Sequence, residues 1–175
     1  MNGEEIKTQL EKKFPELLKE KIRVESDSRI WVSALPRADF MNVFKFAINE
    51  SGFNNFHMTV GLDCGETFEV LYLLSNADKA ILTLRQNTPR ENPVIGSINE
   101  FFSNSLFHEK ELEDLFGIKV DGLPEGPRYP LPDKWPDGQY PLRKDWNPAF
   151  FNKTTMIYEP VEKAAPDDKE VKQDE

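Results

Sequence analysis

Proline density in the last third of the chain limits the possible fold more than any other sequence feature. Eight of the 13 prolines fall between residues 119 and 160. Proline lacks a backbone N–H and fixes φ near about −65°, so neither a regular helix nor a central strand tolerates it at this density. Residues 119–160 are therefore predicted to form a long extended arm behind a folded domain of residues 1–118.

The arm also carries aromatic residues throughout its length, namely Tyr129, Trp135, Tyr140, Trp146, Phe150, Phe151 and Tyr158. Disordered segments are poor in aromatic residues, because burial of such rings drives folding. The arm is therefore predicted to lay its rings on a surface, either that of its own domain or that of a partner protein. Residues 161–175 are acidic and have almost no large apolar side chains, which predicts a disordered tail.

The first part of the domain shows a helical pattern and then short strands. Apolar residues recur at helical spacing over about 3–20, where Pro15 is expected to kink or split the helix. Two short apolar runs between residues 22 and 32 flank a polar turn and predict a pair of strands. A second helix is predicted between Pro36 and Gly52.

Residues 53–85 change to a period of two, which is typical of β-strands. Apolar residues alternate over 56–62 and again over 68–74, and a third apolar run covers 80–84. The second run is apolar on both faces, as a central strand would be. The order of helix, hairpin, helix and three-stranded meander predicts an α+β fold, with one mixed or antiparallel sheet packed against helices.

Two helical segments are predicted between the last of these strands and the arm. Ser97 and Glu100 have the spacing of a capping box, which predicts a helix start near Ser97. A second helical stretch covers residues 108–116 and is expected to end at Gly117.

The second of these stretches holds the densest polar cluster of the chain, which includes His108, Glu109, Glu111 and Asp114. One interpretation is a metal site or a carboxylate acid–base pair that would serve a stand-alone enzyme. The other is a charged helix face that is solvated or pairs with arginines of a partner. One helix face rarely supplies the converging oxygens that a hard metal requires, so partner pairing is favoured.

Arg143, Lys144 and Asp145 form a compact charged patch within the arm. The patch is either a solvated turn or an anchor that fixes the register of the arm on a partner. The neighbouring aromatic residues favour the anchor. His57 and Cys64 lie in no pattern that marks a site and are interpreted as ordinary structural residues.

Composition argues against several classes of function. The formal net charge of −9 disfavours sequence-independent binding to nucleic acid. One cysteine and two histidines exclude an intrachain disulfide, a Cys₄ iron–sulfur cluster and a zinc site built from Cys and His. No apolar run reaches the roughly 18–20 residues that cross a bilayer. The acidic N-terminus lacks the features of a signal peptide, so we expect a cytosolic protein, or a peripheral one held at the cytoplasmic face of a membrane by partners.

Two linked motifs lie on either side of the start of the arm. The first is EKELEDLFGI at residues 109–118, followed by GLP at 122–124, and the second is PLRKD at 141–145. Together they resemble the signature of the 30-kilodalton (C-type) subunit of respiratory complex I. The intervening LPDKWP at 131–136 is similar to the version in membrane-bound [NiFe]-hydrogenases and related energy-converting complexes.

The resemblance implies a protein with no catalytic residue and no cofactor of its own. In that family an α+β domain packs beside a large catalytic subunit and an iron–sulfur small subunit, and the arm wraps the large one. A [NiFe] centre and [4Fe–4S] clusters are then expected in the partners, and ion-pumping membrane subunits would be contacted only indirectly. The alternative complex is a related NAD(P)H-linked, quinone-linked or sulfur-reducing oxidoreductase.

The residues expected at the subunit interface come from both motifs and from the aromatic arm. The resemblance implies that the following residues lie at the interface or support it: Glu109, Glu111, Asp114, Phe116, Gly117, Arg143, Lys144 and Asp145. The aromatic pattern of the arm adds Tyr129, Trp135, Tyr140 and Trp146.

Overall fold

The computed structural model describes residues 2–159, in which the helix predicted over 3–20 is divided at Phe14 because Pro15 starts a new turn. The first half contains α1 (Gly3–Lys13), α2 (Pro15–Leu18), β1 (Ile22–Ser26), β2 (Arg29–Leu35) and α3 (Arg37–Asn49). The second half of the domain contains β3 (Asn55–Asp63), β4 (Thr67–Ser75), β5 (Ile81–Pro89), β6 (Val94–Gly96), α4 (Ser105–Phe116) and β7 (Lys119–Asp121).

A five-stranded mixed sheet forms the framework of the domain, with the strand order β1-β2-β5-β4-β3. The strands β3, β4 and β5 pair antiparallel as a meander, and β2 pairs in parallel with β5. The strands β1 and β2 form the predicted hairpin. Since the helices pack on this one sheet, the predicted α+β fold class is confirmed.

One face of the sheet carries the core of the domain. On β4, Phe68, Val70, Tyr72 and Leu74 are buried, and they alternate with half-buried residues that point to the other face. The ring of Tyr72 lies 4.5 Å from that of Phe40 on α3. The helices α1, α3 and α4 add their apolar side chains to the same cluster, which gives the domain two layers.

The helix predicted to start near Ser97 is absent, so the capping-box prediction is wrong, whereas α4 begins three residues before the predicted stretch 108–116. Residues 97–104 form turns, and the helix begins after Asn104, whose side chain makes no capping bond. The Ser97 hydroxyl accepts locally from the Asn99 N–H at 3.0 Å and donates to the Glu109 carboxylate at 2.6 Å, but turns and not a helix follow it. The predicted helix end is confirmed, because Gly117 caps α4 in the left-handed conformation with φ of 66°.

The arm follows a short second sheet. Residues 119–121, which the sequence assigned to the arm, form β7 and pair in parallel with β6. Beyond them the chain makes turns, a 3₁₀ helix at Pro148–Phe150, and a hairpin of β8 (Phe151–Asn152) and β9 (Ile157–Tyr158). The predicted disordered tail at 161–175 lies outside the described residues. Among residues 2–159, no helix has the length and apolar character needed to cross a membrane.

Candidate functional site

The arm is joined to the domain by a group of charged residues, the arm latch, which consists of Asp63, Arg90, Arg143, Lys144 and Asp145. Asp63 ends β3, and only 2% of its side chain is exposed. Both of its carboxylate oxygens accept from Arg90 Nη1 at 2.8 Å. The backbone N–H of Lys144 in the arm donates to the same carboxylate at 2.8 Å. One buried carboxylate thus connects the sheet, the segment after β5 and the arm.

The surroundings of Asp63 favour its charged form. Burial by itself raises the pKa of a carboxyl group. Here the hydrogen bonds from Arg90 and from the N–H groups of Lys144 and Gly65 outweigh burial, and they lower the pKa of Asp63 to about 2. Arg90 Nη2 also donates to Asp145 at 2.7 Å, so one guanidinium bridges two carboxylates. Asp63 is therefore ionised near neutral pH.

Arg143 supplies the second fixed point of the arm latch. Its Nε donates at 2.6 Å to the carbonyl of Phe116, an acceptor left free by the end of α4. Its guanidinium lies 4.3 Å from the ring centre of Tyr140 and 5.1 Å from that of Phe68. Gly117 permits this approach, because a Cβ there would collide with Tyr140 and Arg143. The two sequence motifs therefore meet in space.

The start of the arm lies along one side of α4. Asp114 accepts from Arg128 Nε at 3.0 Å and from the Leu131 N–H at 3.1 Å. One turn earlier, Lys110 Nζ donates to the carbonyl of Pro127 at 2.9 Å. Asp114 thus finds its arginine within the same chain.

Glu109 points into the domain and anchors the segment that precedes α4. The residue is 0% exposed, and its carboxylate accepts from the Ser97 hydroxyl and the Ile98 N–H, each at 2.6 Å. Burial raises the pKa of Glu109, and these hydrogen bonds offset that rise only in part. Glu109 therefore supports the position of α4 and offers no charge to a partner.

Glu111 is the acidic residue of the polar cluster that remains open to a partner. Its side chain is 39% exposed, and its Oε2 lies 3.8 Å from Nδ1 of His108. Since Glu109 and Asp114 face other neighbours, α4 does not bring the three carboxylates together. Within residues 2–159, no group of three His, Cys, Asp or Glu side chains is placed to hold a metal ion.

The far part of the arm forms a ring cluster, which consists of Trp135, Trp146, Phe151 and Tyr158. The ring centre of Trp135 lies 4.4 Å from that of Phe151, and Trp146 stacks 5.7 Å from Tyr158. Both indole N–H groups donate to Gln139, one to its backbone carbonyl and one to its side chain. All four rings are only half-buried, so they retain apolar area that a partner surface can cover.

The predicted interface residues fall into three groups. The arm latch and its surroundings contain Phe116, Gly117, Tyr140, Arg143, Lys144 and Asp145. The ring cluster contains Trp135 and Trp146. The remaining residues lie on α4 or against it, and they are Glu109, Glu111, Asp114 and Tyr129.

Asp63, Arg90 and Arg128 make most of the charged contacts with the arm or within it, and sequence reasoning missed all three. Asp63 carried no usable sequence signal, because the apolar alternation over 56–62 puts it on the polar phase; a register shift between Phe56 and Met58 places it opposite Phe68 on the core face. A carboxylate in such a position requires a partner that satisfies its charge. Arg90 and Arg128 lie outside the helices and strands, where no periodicity marks them.

The sequence matches the model of a family described as the respiratory-chain NADH dehydrogenase 30 Kd subunit, over residues 33–151. That span contains the whole arm latch and most of the ring cluster. The chain belongs to this family. The family assignment confirms the resemblance that the two motifs suggested.

Curated relatives of this 30 Kd family member are subunits of several redox complexes. The beta subunit of the membrane-bound hydrogenase of Pyrococcus furiosus is 27% identical over 121 residues, which cover 67% of this chain and 69% of that protein. The C subunit of the F(420)H(2) dehydrogenase of Methanosarcina mazei is 29% identical, with 88% of this chain and 97% of that protein covered. The C/D subunit of the NADH-quinone oxidoreductase of Phocaeicola vulgatus is 33% identical over 58% of this chain, which spans only 20% of that longer protein.

A solved structure with the same fold belongs to the membrane-bound sulfane sulfur reductase, an archaeal respiratory membrane complex. The similarity has a TM-score of 0.71 at 21% identity and covers 93% of this chain and 96% of that one. At this level of identity, the likeness establishes that the 30 Kd family member shares its fold with that chain.

Proposed function

We propose that this chain is a non-catalytic structural subunit in the peripheral, hydrophilic arm of a membrane-bound respiratory redox complex, of the ferredoxin-linked [NiFe]-hydrogenase kind. It docks a large catalytic subunit and an iron–sulfur subunit, and these hold it at the cytoplasmic face of the membrane. The [NiFe] centre and the [4Fe–4S] clusters belong to those partners. The chain itself contributes shape and contact area.

The contrast between the two ends of the arm carries this proposal. The arm latch fixes the course of the arm through bonds to its own domain. The ring cluster is fixed in turn by the two bonds to Gln139, yet its rings stay half-exposed. Rings that are already ordered lose little conformational entropy on binding, and Trp and Tyr are the side chains that dominate interface energies.

A rigid scaffold protein can support electron transfer without redox chemistry of its own. Electron tunnelling slows steeply as cofactors move apart, so a scaffold that keeps its neighbours in fixed geometry sustains turnover. Relatives named as subunits of a membrane-bound hydrogenase and of an F(420)H(2) dehydrogenase support this role. The C/D relative, of which this chain spans 20%, supports a working association with a larger polypeptide.

A second candidate is the corresponding subunit of a sulfur-reducing, quinone-linked or NAD(P)H-linked complex. The fold likeness to a chain of the sulfane sulfur reductase complex, over 93% of this chain, favours this candidate. The docking role of the chain would be the same, and only the metal content and the acceptor of the partner would differ.

Affinity purification of the full-length tagged chain from native membranes tests the proposal. We expect a hydrogenase-like large subunit, an iron–sulfur subunit and membrane subunits to co-purify in near-equal amounts, with both nickel and iron present. Iron without nickel would select the second candidate. A chain that elutes alone, or that catalyses turnover by itself, would contradict both.

A further inference from the structure

The sheet has a second face, opposite the core, that carries an apolar surface. On β4, Leu71 and Leu73 alternate with the buried core residues and so point to this face. The strand register places Val60 beside Leu71 and Met58 beside Leu73. The helices α1, α3 and α4 bury their apolar side chains in the core on the other side. Within residues 2–159, no helix covers this second face.

We name this surface the open face, and its apolar members include Trp31, Met58, Val60, Leu62, Leu71 and Leu73. Met58 is 42% exposed and Leu62 is 41% exposed, and the other four are half-buried by their neighbours in the sheet. A sheet with one solvated face normally presents polar residues on that face. A contiguous apolar patch in this position is the mark of an interaction surface.

The size of the open face suits a protein partner. The sheet has five strands, three of them nine residues long. At a spacing of about 4.8 Å between strands and about 3.3 Å per residue, the whole second face of the sheet, charged residues included, covers roughly 600 Å². A standard protein interface takes about 800 Å² from each partner, so this face supplies most of one.

Charge decides between a second copy of this chain and a different protein. On the open face, two arginines have acidic partners, whereas Arg29 has no ion pair among residues 2–159. A two-fold dimer would place the open face against itself and bring the two Arg29 side chains to one interface. It would also join two chains that each carry a net charge of −9. A different protein with a carboxylate opposite Arg29 fits better.

We propose that the open face is the docking site for a different subunit of the complex, one that presents an apolar surface with an acidic residue against Arg29. The identity of the occupant as a redox-complex subunit rests on the proposed function. The open face and the ring cluster are then two separate contact surfaces of one scaffold.

Replacement of Leu71 by lysine tests the docking site, with Thr8→Lys as the matched control. Thr8 is exposed on α1, in the opposite layer, and receives the same added charge. In full-length tagged protein from native membranes, L71K is expected to recover at least tenfold less partner subunit than wild type, and T8K as much as wild type. If L71K fails to fold, M58K at an exposed position replaces it. Recovery by the folded variant at the wild-type level would overturn the proposal.

Oxidation of Met58 by hydrogen peroxide independently measures whether a partner subunit covers the open face. Mass spectrometry should find this methionine oxidised at least fivefold more slowly in the purified complex than in the isolated full-length chain. Equal oxidation in both, or protection through a dimer of the isolated chain, would overturn the open face as a site for a different subunit.

Failure of this docking site can be told apart from failure of the proposed function. Both outcomes above leave the proposed function intact as long as partner subunits co-purify with wild type. If no partner subunits co-purify with the wild-type chain, the proposed function itself is contradicted.

Discussion

The domain and the arm are held in place by different forces. In the domain, side chains such as Phe44 and Tyr72 are fully buried in one apolar cluster between sheet and helices. In the arm, none of residues 122–159 is buried. Its fixed points are the ion pairs and hydrogen bonds of the arm latch. Hydrophobic burial therefore stabilises the domain, whereas directional polar bonds set the course of the arm.

The difference shows how a small scaffold protein can be both stable and ready to bind. A domain with its own core folds without help, since apolar burial is the dominant favourable contribution to folding. An arm that is positioned but not buried keeps its aromatic area for a partner, and it avoids much of the ordering entropy that a flexible tail loses on binding.

The largest expected effect comes from the core. Phe44→Ala should lower the free energy of unfolding of the domain by about 3–5 kcal/mol, because it removes a fully buried ring and leaves a cavity. Urea titration followed by circular dichroism measures the loss. The control is Phe151→Ala in the ring cluster, which should change domain unfolding by less than about 1 kcal/mol. Equal losses in both variants would erase the distinction between the two regions.

The next effect concerns the arm latch. Asp63→Asn removes the charge that holds Arg90 and the Lys144 N–H, and it should weaken docking of the arm by about 2 kcal/mol, the scale set by the lowered pKa. Limited proteolysis should then cleave the arm faster while the domain stays resistant. Asp145→Asn is the matched control, since this carboxylate is 69% exposed and should matter less. A resistant arm in D63N would show that the latch is dispensable.

The Asp63 carboxylate should make docking of the arm depend on pH, with weaker docking at acidic pH. The pKa of Asp63 is lowered from 3.8 to about 2 on folding, so its stabilising effect is complete above about pH 4. The effect should fade as the pH falls from about 4 to about 2. Protease sensitivity of the arm, measured with an acid-tolerant protease, should rise over that window in wild type. The D63N variant should show a smaller rise, which leaves only the contribution of the other arm carboxylates such as Asp114 and Asp145.

A substitution in the ring cluster should weaken assembly with partner subunits, with a smaller free-energy change than Asp63→Asn causes in docking of the arm. Trp146→Ala should weaken recovery of partner subunits about tenfold, equivalent to about 1.4 kcal/mol, because it removes a half-exposed anchor. Trp146→Phe keeps a ring and should lose less. Quantitative mass spectrometry of the purified complex provides the readout. Recovery of W146A at the wild-type level would exclude this ring from the interface.

The smallest expected effect is a gain in stability, in contrast to the losses expected from the other substitutions. Glu109→Gln should raise the free energy of unfolding at neutral pH by about 1 kcal/mol, because burial without a neighbouring cation penalises the charged form of the carboxylate and a neutral amide avoids that penalty. The raised pKa means that wild type gains stability as the pH falls and loses it as the pH rises through that pKa. The gain from E109Q should therefore shrink towards pH 4. Glu111→Gln, at an exposed position, is the control and should change little.

Much of the fold follows from local sequence patterns. The change from helical spacing to a period of two located β3, β4 and β5, and two apolar runs around a polar turn located β1 and β2. Gly117 ended α4 as predicted, because only glycine readily adopts the left-handed cap. Pro15 divided the first helix for an equally local reason, its missing N–H.

The errors and omissions involve partners distant in sequence. Ser97 looked like a helix cap, but its hydroxyl bonds to Glu109, 12 residues away. The arm latch joins Asp63 to Lys144, 81 residues apart, which no local pattern encodes. The family motif implied that Glu109, Glu111 and Asp114 lie at the interface or support it, and the structure buries Glu109 and Asp114 while Glu111 faces outwards, a division that no local pattern encodes.

The most direct test of the account is the solvent accessibility of Trp135 and Trp146 in two states of the full-length chain. Hydroxyl-radical labelling of the isolated protein should modify both indoles, since neither is buried. In the complex purified from native membranes, both should be protected at least fivefold, while exposed residues of the helix layer keep their reactivity. Equal labelling of the two indoles in both states would contradict the central claim that the arm is held out for a partner to cover.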